Sequence, residues 1–194
     1  MFKYAKPLAT LAVTAAAFVG MGGTASAASF GADLDPSVQP SNAGQPHKCN
    51  GFEGEKCTWV LNDAYGAPGH EKAPKTGTLK QIKLIAGAPG SFRLQLVKVK
   101  NNGSAKVVTN GPRIEYEGQD NPNSNTYDVE KFDVHVPVHE GEQLAIATKK
   151  TSTLRCSSGG PNTLLYNPVL EVGNAAQALG SDDGCWMLIE GKIG

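Results

Sequence analysis

Asp133 and His135 come nearest, by residue type and spacing, to a pair that could do chemistry. They lie two apart in a run where Phe132, Val134, Val136 and Val138 alternate with polar residues. Period-two alternation predicts a half-buried strand, and residues two apart on a strand point the same way. A carboxylate beside an imidazole can orient a general base, or can ligate a metal together with a third group from elsewhere. The pair also fits a polar outer face opposite the apolar stripe, and we prefer that reading because polar side chains ordinarily face solvent. Glu115 with Glu117, and Asp128 with Glu130, have the strand spacing of a glycosidase pair. Charges on an edge strand also block aggregation between sheets, which explains them more simply. No Gly-x-Ser-x-Gly, Ser-x-x-Lys or His-Glu-x-x-His motif occurs, and His139-Glu140 stands in a short polar turn. No catalytic residue is assigned.

Binding chemistry has better candidates. Tyr65, Tyr116 and Tyr127 are aromatics in polar surroundings, and Asn62, Asp63 and His70 flank the first of them. The Asn62 to Pro74 segment, with Gly66-Ala67-Pro68-Gly69 at its centre, reads as a long polar loop of the kind that carries function. Tyr65, His70, Tyr127, Asp133 and His135 are therefore the candidate ligand-binding residues. Trp59 and Trp186 stand among apolar neighbours and are expected in the core. Asp120 to Asn125 and Asp182-Asp183-Gly184 concentrate oxygen donors that suit Ca²⁺. Asn, Asp and Pro also dominate ordinary turns, so no metal or other cofactor is assigned.

The elements that must position these residues follow a leader. Lys3 and Lys6, the apolar run from Leu8 to Val19, and Ala25-Ser26-Ala27 together read as a signal peptide over 1–27 with cleavage before Ala28. The apolar run is too short for a membrane span, so the expectation is a secreted, extracellular chain with no membrane insertion after cleavage. The remaining 167 residues suffice for one domain and carry two more acidic than basic residues. No basic stripe is visible, which argues against nucleic acid as a partner. Cys49, Cys57, Cys156 and Cys185 all follow the leader, and an even count in an exported chain argues for a disulfide framework. Three pairings are open; Cys49–Cys57 with Cys156–Cys185 is preferred because it joins cysteines close in sequence. A four-cysteine metal site is disfavoured because the tight spacing of structural zinc is absent.

Residues 28–48, rich in Pro, Ser, Asn and Gly, read as a flexible spacer, and residues 49–194 as one domain. Within it Phe92, Leu94 and Leu96 alternate with polar residues before the apolar phase slips to Val97 and Val99, predicting a bulge or a strand buried on both faces. Asn102-Gly103 predicts a two-residue hairpin turn. Ile114 to Tyr116 is expected as a short edge strand, Asn174 to Leu179 offers at most one helical turn, and Cys185 to Ile193 a closing strand. Strands without a sustained helical period predict an all-β, antiparallel β-sandwich of jelly-roll or Greek-key type, with a closed barrel as the alternative.

The run Gly77-Thr-Leu-Lys-Gln-Ile-Lys-Leu-Ile-Ala-Gly, then Phe92-Arg-Leu-Gln-Leu, Phe132-Asp-Val-His-Val-Pro-Val and Gly141-Glu142-Gln-Leu-Ala-Ile resembles secreted actinobacterial β-sandwich (jelly-roll-like) proteins of unknown function. Tyr166-Asn167-Pro168 and the closing strand fit the same order, so the resemblance spans about Thr58 to Ile193. It implies a sandwich fold and no particular activity. Glu142, where that group carries Asp, and the additional cysteines are departures. Compartment, fold and missing catalytic motifs together lead to the expectation of a non-catalytic binding module for glycans or cell-envelope material. The alternatives are a structural or assembly protein of the cell envelope, whose sheet edges pair with copies, and an extracellular hydrolase.

Overall fold

A computed structural model describes residues 27–34, 47–49, 55–119, 127–156 and 160–194, with residues 155 and 156 described by backbone alone. The described residues form an antiparallel β-sandwich. One sheet has the order β1-β14-β4-β7, from Ala28–Gly31, Ile189–Ile193, Gly77–Leu84 and Glu130–Val138. The other has the order β12-β11-β3-β8-β5-β6, from Ser181–Asp183, Thr163–Tyr166, Cys57–Leu61, Gln143–Thr148, Gly90–Val99 and Ala105–Tyr116. Two short ladders flank them: β2 (His47–Lys48) with β9 (Lys150–Thr151), and β10 (Leu154–Cys156) with β13 (Cys185–Met187).

Alternation along the strands places the core. Leu79, Ile82 and Leu84 of β4, and Val134, Val136 and Val138 of β7, face Trp59, Leu61, Phe92, Leu94, Leu144 and Ile146 from the larger sheet. A second cluster, with Val60, Val97, Val107, Leu164, Tyr166 and Leu170, covers the far side of the larger sheet. Its middle strands are thus buried on both faces, which is why the apolar phase slips in β5; the register with β6 shifts between Leu96 and Val97. The segment after β11 lies over that far side through a buried polar junction. Thr58 Oγ1 donates to Gln95 Oε1 at 3.0 Å and accepts from the Leu170 N–H at 3.0 Å. Gln95 Nε2 in turn donates to the Leu170 carbonyl at 3.0 Å. Every polar atom buried there has a partner of the kind an apolar surrounding demands.

Several sequence expectations need correction. Residues 28–48 are not a spacer throughout: Ala28–Gly31 pairs with β14, Phe30, Ala32 and Leu34 are buried, and His47–Lys48 pairs with β9. One aromatic and one leucine at the right phase suffice to dock an edge strand, and composition averaged over twenty residues hides them. Residues 35–46 lie outside the described ones. The turn at Asn102-Gly103 spans Lys100 to Ser104, wider than two residues, since Val99 pairs with Ala105. Ile114 to Tyr116 is no separate edge strand but the end of the 12-residue β6. The closing strand breaks at Leu188, so that β13 and β14 serve different sheets. Asn174 to Leu179 contains no helical turn.

Cys49 and Cys57 are joined, with Cα atoms 5.6 Å apart. Cys185 is also in a disulfide, no cysteine is free among the described residues, and the β10–β13 register sets the Cys156 backbone directly opposite Cys185. That register is the one the preferred pairing needs. Among the described residues, no helix is long and apolar enough to cross a membrane.

Candidate functional site

The segment that follows β1 helps to build a concavity. Gly31 adopts φ +102°, a conformation open to glycine, and a Cβ there would run into the Ile189 carbonyl. Past this bend the chain is tied to the 62–74 loop. Gly31 N–H donates to the His70 carbonyl at 2.7 Å, and Asp33 N–H to the Tyr65 carbonyl at 2.7 Å. Ala32 and Leu34 then pack with Ile85 and Leu188, beneath the half-buried Tyr65, Tyr127 and Val129.

A groove of about 790 Å³ results. Residues 29–34 and His70 form one side, and Lys83, Lys131 and Glu190 from three adjacent strands contribute the charged part. Tyr127 lines it as well. Lys83 Nζ donates to Glu190 Oε2 at 3.0 Å, and its side chain is only 28% exposed. This pair is held by register, because Glu190 faces Lys83 across β14–β4 and Lys131 faces Lys83 across β4–β7. Beside the groove, Trp186 Nε1 donates to Asp63 Oδ2 at 3.1 Å, and the Tyr65 ring meets the Trp186 ring edge-on at 5.6 Å. Trp186 is therefore half-buried and hydrogen-bonded at the loop, whereas Trp59 is the core residue both were expected to be.

Of the sequence candidates, Tyr65, His70 and Tyr127 come together at this end of the sandwich. Asp133 and His135 do not join them. Both are exposed on β7, and Asp133 Oδ1 accepts a hydrogen bond from Gln81 Nε2 at 3.3 Å. Tyr116 is a core residue, 4% exposed, stacked obliquely on Phe92 at 5.8 Å. The carboxylate of Glu130 accepts from the backbone N–H groups of Glu117 and Gly118, both at 2.9 Å, which fixes it to a turn. Residues 120–126, which include the whole of the first oxygen-rich loop, Asp120 to Asn125, lie outside the described ones. In the second such cluster Asp183 Oδ1 accepts from the Cys185 N–H at 3.0 Å. Among the described residues, no three His, Cys, Asp or Glu side chains converge as a metal site requires.

Sequence reasoning missed Phe30, Asp33, Lys83, Lys131 and Glu190 as groove residues. The alternation of β4, β7 and β14 announces which of them face outward, but only register says that they meet.

One titrating pair lies outside the groove. Burial lowers the pKa of His47 from its ordinary 6.5, against the opposing pull of Asp183. The Asp183 carboxyl is raised, chiefly by burial and against its hydrogen bond from Cys185 and the charge of His47. The His47 ring meets that of Trp59 edge-on at 6.4 Å. A histidine held below its unfolded pKa binds its proton more weakly in the native state. Its contribution to stability is then complete above about pH 6.5 and is lost as pH falls below that value. The raised Asp183 works in the opposite sense, since its contribution is lost as pH rises through its elevated pKa. We expect His47→Gln to reduce the drop in melting temperature between about pH 7.5 and pH 5.5. Calorimetry of both proteins at the two pH values checks this; parallel curves would remove His47 as the cause.

No protein-family model, no curated protein and no solved structure matches this chain.

Proposed function

We infer that the protein is secreted and non-catalytic, and that it binds glycans or other cell-envelope material through the groove between residues 29–34, His70 and Tyr127. The groove itself carries the reading. It has the volume of an ordinary ligand site, and an aromatic ring, an imidazole and an ion pair converge on it from separate parts of the chain. Sugars present alternating apolar faces and hydroxyl edges, which suit a tyrosine beside fixed charged donors and acceptors. Export is supported by the leader, by the disulfides and by the ordered strand that begins at Ala28, the first residue after the expected cleavage. The resemblance to secreted actinobacterial jelly-roll-like proteins agrees with this compartment and adds no ligand.

The test is retention of the chain on insoluble polysaccharides and purified cell wall. Tyr127→Ala and His70→Ala should each weaken binding about tenfold, the effect of removing roughly 1.4 kcal/mol of contact. No retention on any matrix, or retention that both variants leave untouched, refutes the groove as the binding site.

A further inference from the structure

A different surface, at one end of the larger sheet, gathers the positive charge that the sequence scatters. A cleft of about 400 Å³ is lined by Lys56, Arg93, Arg113, Lys149 and Lys150, with the small residues Ser91 and Ala147 among them. Short side chains flanked by long cationic ones make a bowl with a charged rim. Arg93 and Arg113 are direct cross-strand partners in the β5–β6 ladder, and Arg93 also faces Ala147 across β5–β8. Like charges set directly opposite one another destabilise a ladder, so folding alone does not favour this arrangement.

Each guanidinium is steadied by the protein and keeps N–H groups to spare. Arg113 Nη2 donates to Ser91 Oγ at 2.6 Å, and its Nε lies 3.5 Å from the largely exposed Glu115 carboxylate. Arg93 Nη1 donates to the Gly111 carbonyl at 3.3 Å. An arginine has five N–H donors in a fixed fork, so neither is exhausted by these contacts. Among the described residues, no carboxylate pairs with Lys56, Lys149 or Lys150. Two forks side by side suit a tetrahedral oxyanion, which can accept from both. The aromatic residues lining the cleft, Phe92 and Tyr116, are 2% and 4% exposed, so bases have no platform to stack on.

We propose that this cleft is an anion-binding site for a sulfate or phosphate ester carried on a glycan chain. It is separate from the groove and stands whether or not the groove binds sugar. Thr148, whose Oγ1 donates to the Ser91 carbonyl at 2.9 Å, holds the Ser91 backbone in place beneath Arg113.

Affinity electrophoresis of the protein through gels containing dextran sulfate, phosphorylated dextran or neutral dextran tests the proposal. The unaltered protein is retarded by at least one charged polymer and not by neutral dextran, and added salt weakens the retardation. The two charged arms identify the ester. Arg93→Gln with Arg113→Gln lowers the affinity at least tenfold while the melting temperature stays level or rises, because a like-charge pair has been removed. Lys149→Gln with Lys150→Gln, both exposed between β8 and the start of β9, lowers it in the same direction. Lys80→Gln, which removes an exposed positive charge from β4 of the other sheet, leaves this binding unchanged, which separates the cleft from positive charge in general. Equal mobility in charged and neutral gels overturns the proposal, as does unchanged affinity in both double variants. Tighter binding of duplex DNA than of either charged dextran overturns it too and assigns the cleft to nucleic acid.

Discussion

Phe30→Ala should lower the unfolding free energy by about 3–5 kcal/mol, the range for truncating a buried phenylalanine. Phe30 is 1% exposed although it stands only three residues into the chain that follows the expected cleavage point. Its ring lies over Gly191 of β14, where a Cβ would sit 2.9 Å from both the Phe30 ring and Leu79. The strand therefore docks through one large side chain seated on a glycine, with backbone pairing from Ala28 to Gly31 along β14. Loss of Phe30 removes the apolar area that offsets the ordering of β1, and it also frees the segment that forms one side of the groove. Urea denaturation measures the change, which should appear as a lower midpoint. A loss under about 1 kcal/mol would mean that β1 adds little to the sandwich, and the groove would lose its frame with it.

Changing Cys49 and Cys57 together to Ala should cost about 2.5 kcal/mol, from a sequence separation of 8 in the chain-entropy account. Both residues are fully buried in the main cluster beside Trp59, so packing loss adds to the constraint lost from the unfolded chain. The crosslink ties Cys49, next to the His47–Lys48 ladder, to the first residue of β3. The double variant should therefore also loosen the β2–β9 pairing, which hydrogen exchange at Lys48 and Lys150 would register. Unchanged denaturation midpoints would show that the surrounding core holds this end without the bond.

What the sequence made legible was whatever depends on alternation. Phe132 to Val138 and Phe92 to Leu96 declared their buried faces because a half-buried strand repeats every second residue. The bulge near Val97 was visible as a phase slip. Meetings between distant strands were not visible. Tyr65, His70 and Tyr127 could be chosen as polar-context aromatics and a loop histidine, but nothing local said they would surround residues 29–34. Arg93 and Arg113 are twenty positions apart, with Lys56 and Lys149 farther still, and a scan for basic runs passes over them. They become a cleft only through the β5–β6 and β5–β8 registers. Residues 28–34 were misread for a related reason: edge strands need few apolar contacts, and here two of them, Phe30 and Leu34, sit within a polar composition.

The pairing of Ala28 with Ile193 joins the first strand to the last, 165 positions later. Because β14 lies between β1 and β4, the four-stranded sheet lacks its second member until Ile189–Ile193 exist. A nascent chain that has not reached β14 can make the β4–β7 ladder, yet β1 has nowhere to dock. Closure of the sheet is thus a late event with a long loop to gather, which slows folding. A copy that lacks β14 leaves an unpaired edge on β4 and no partner for β1, which exposes backbone to pairing with other chains and to proteases.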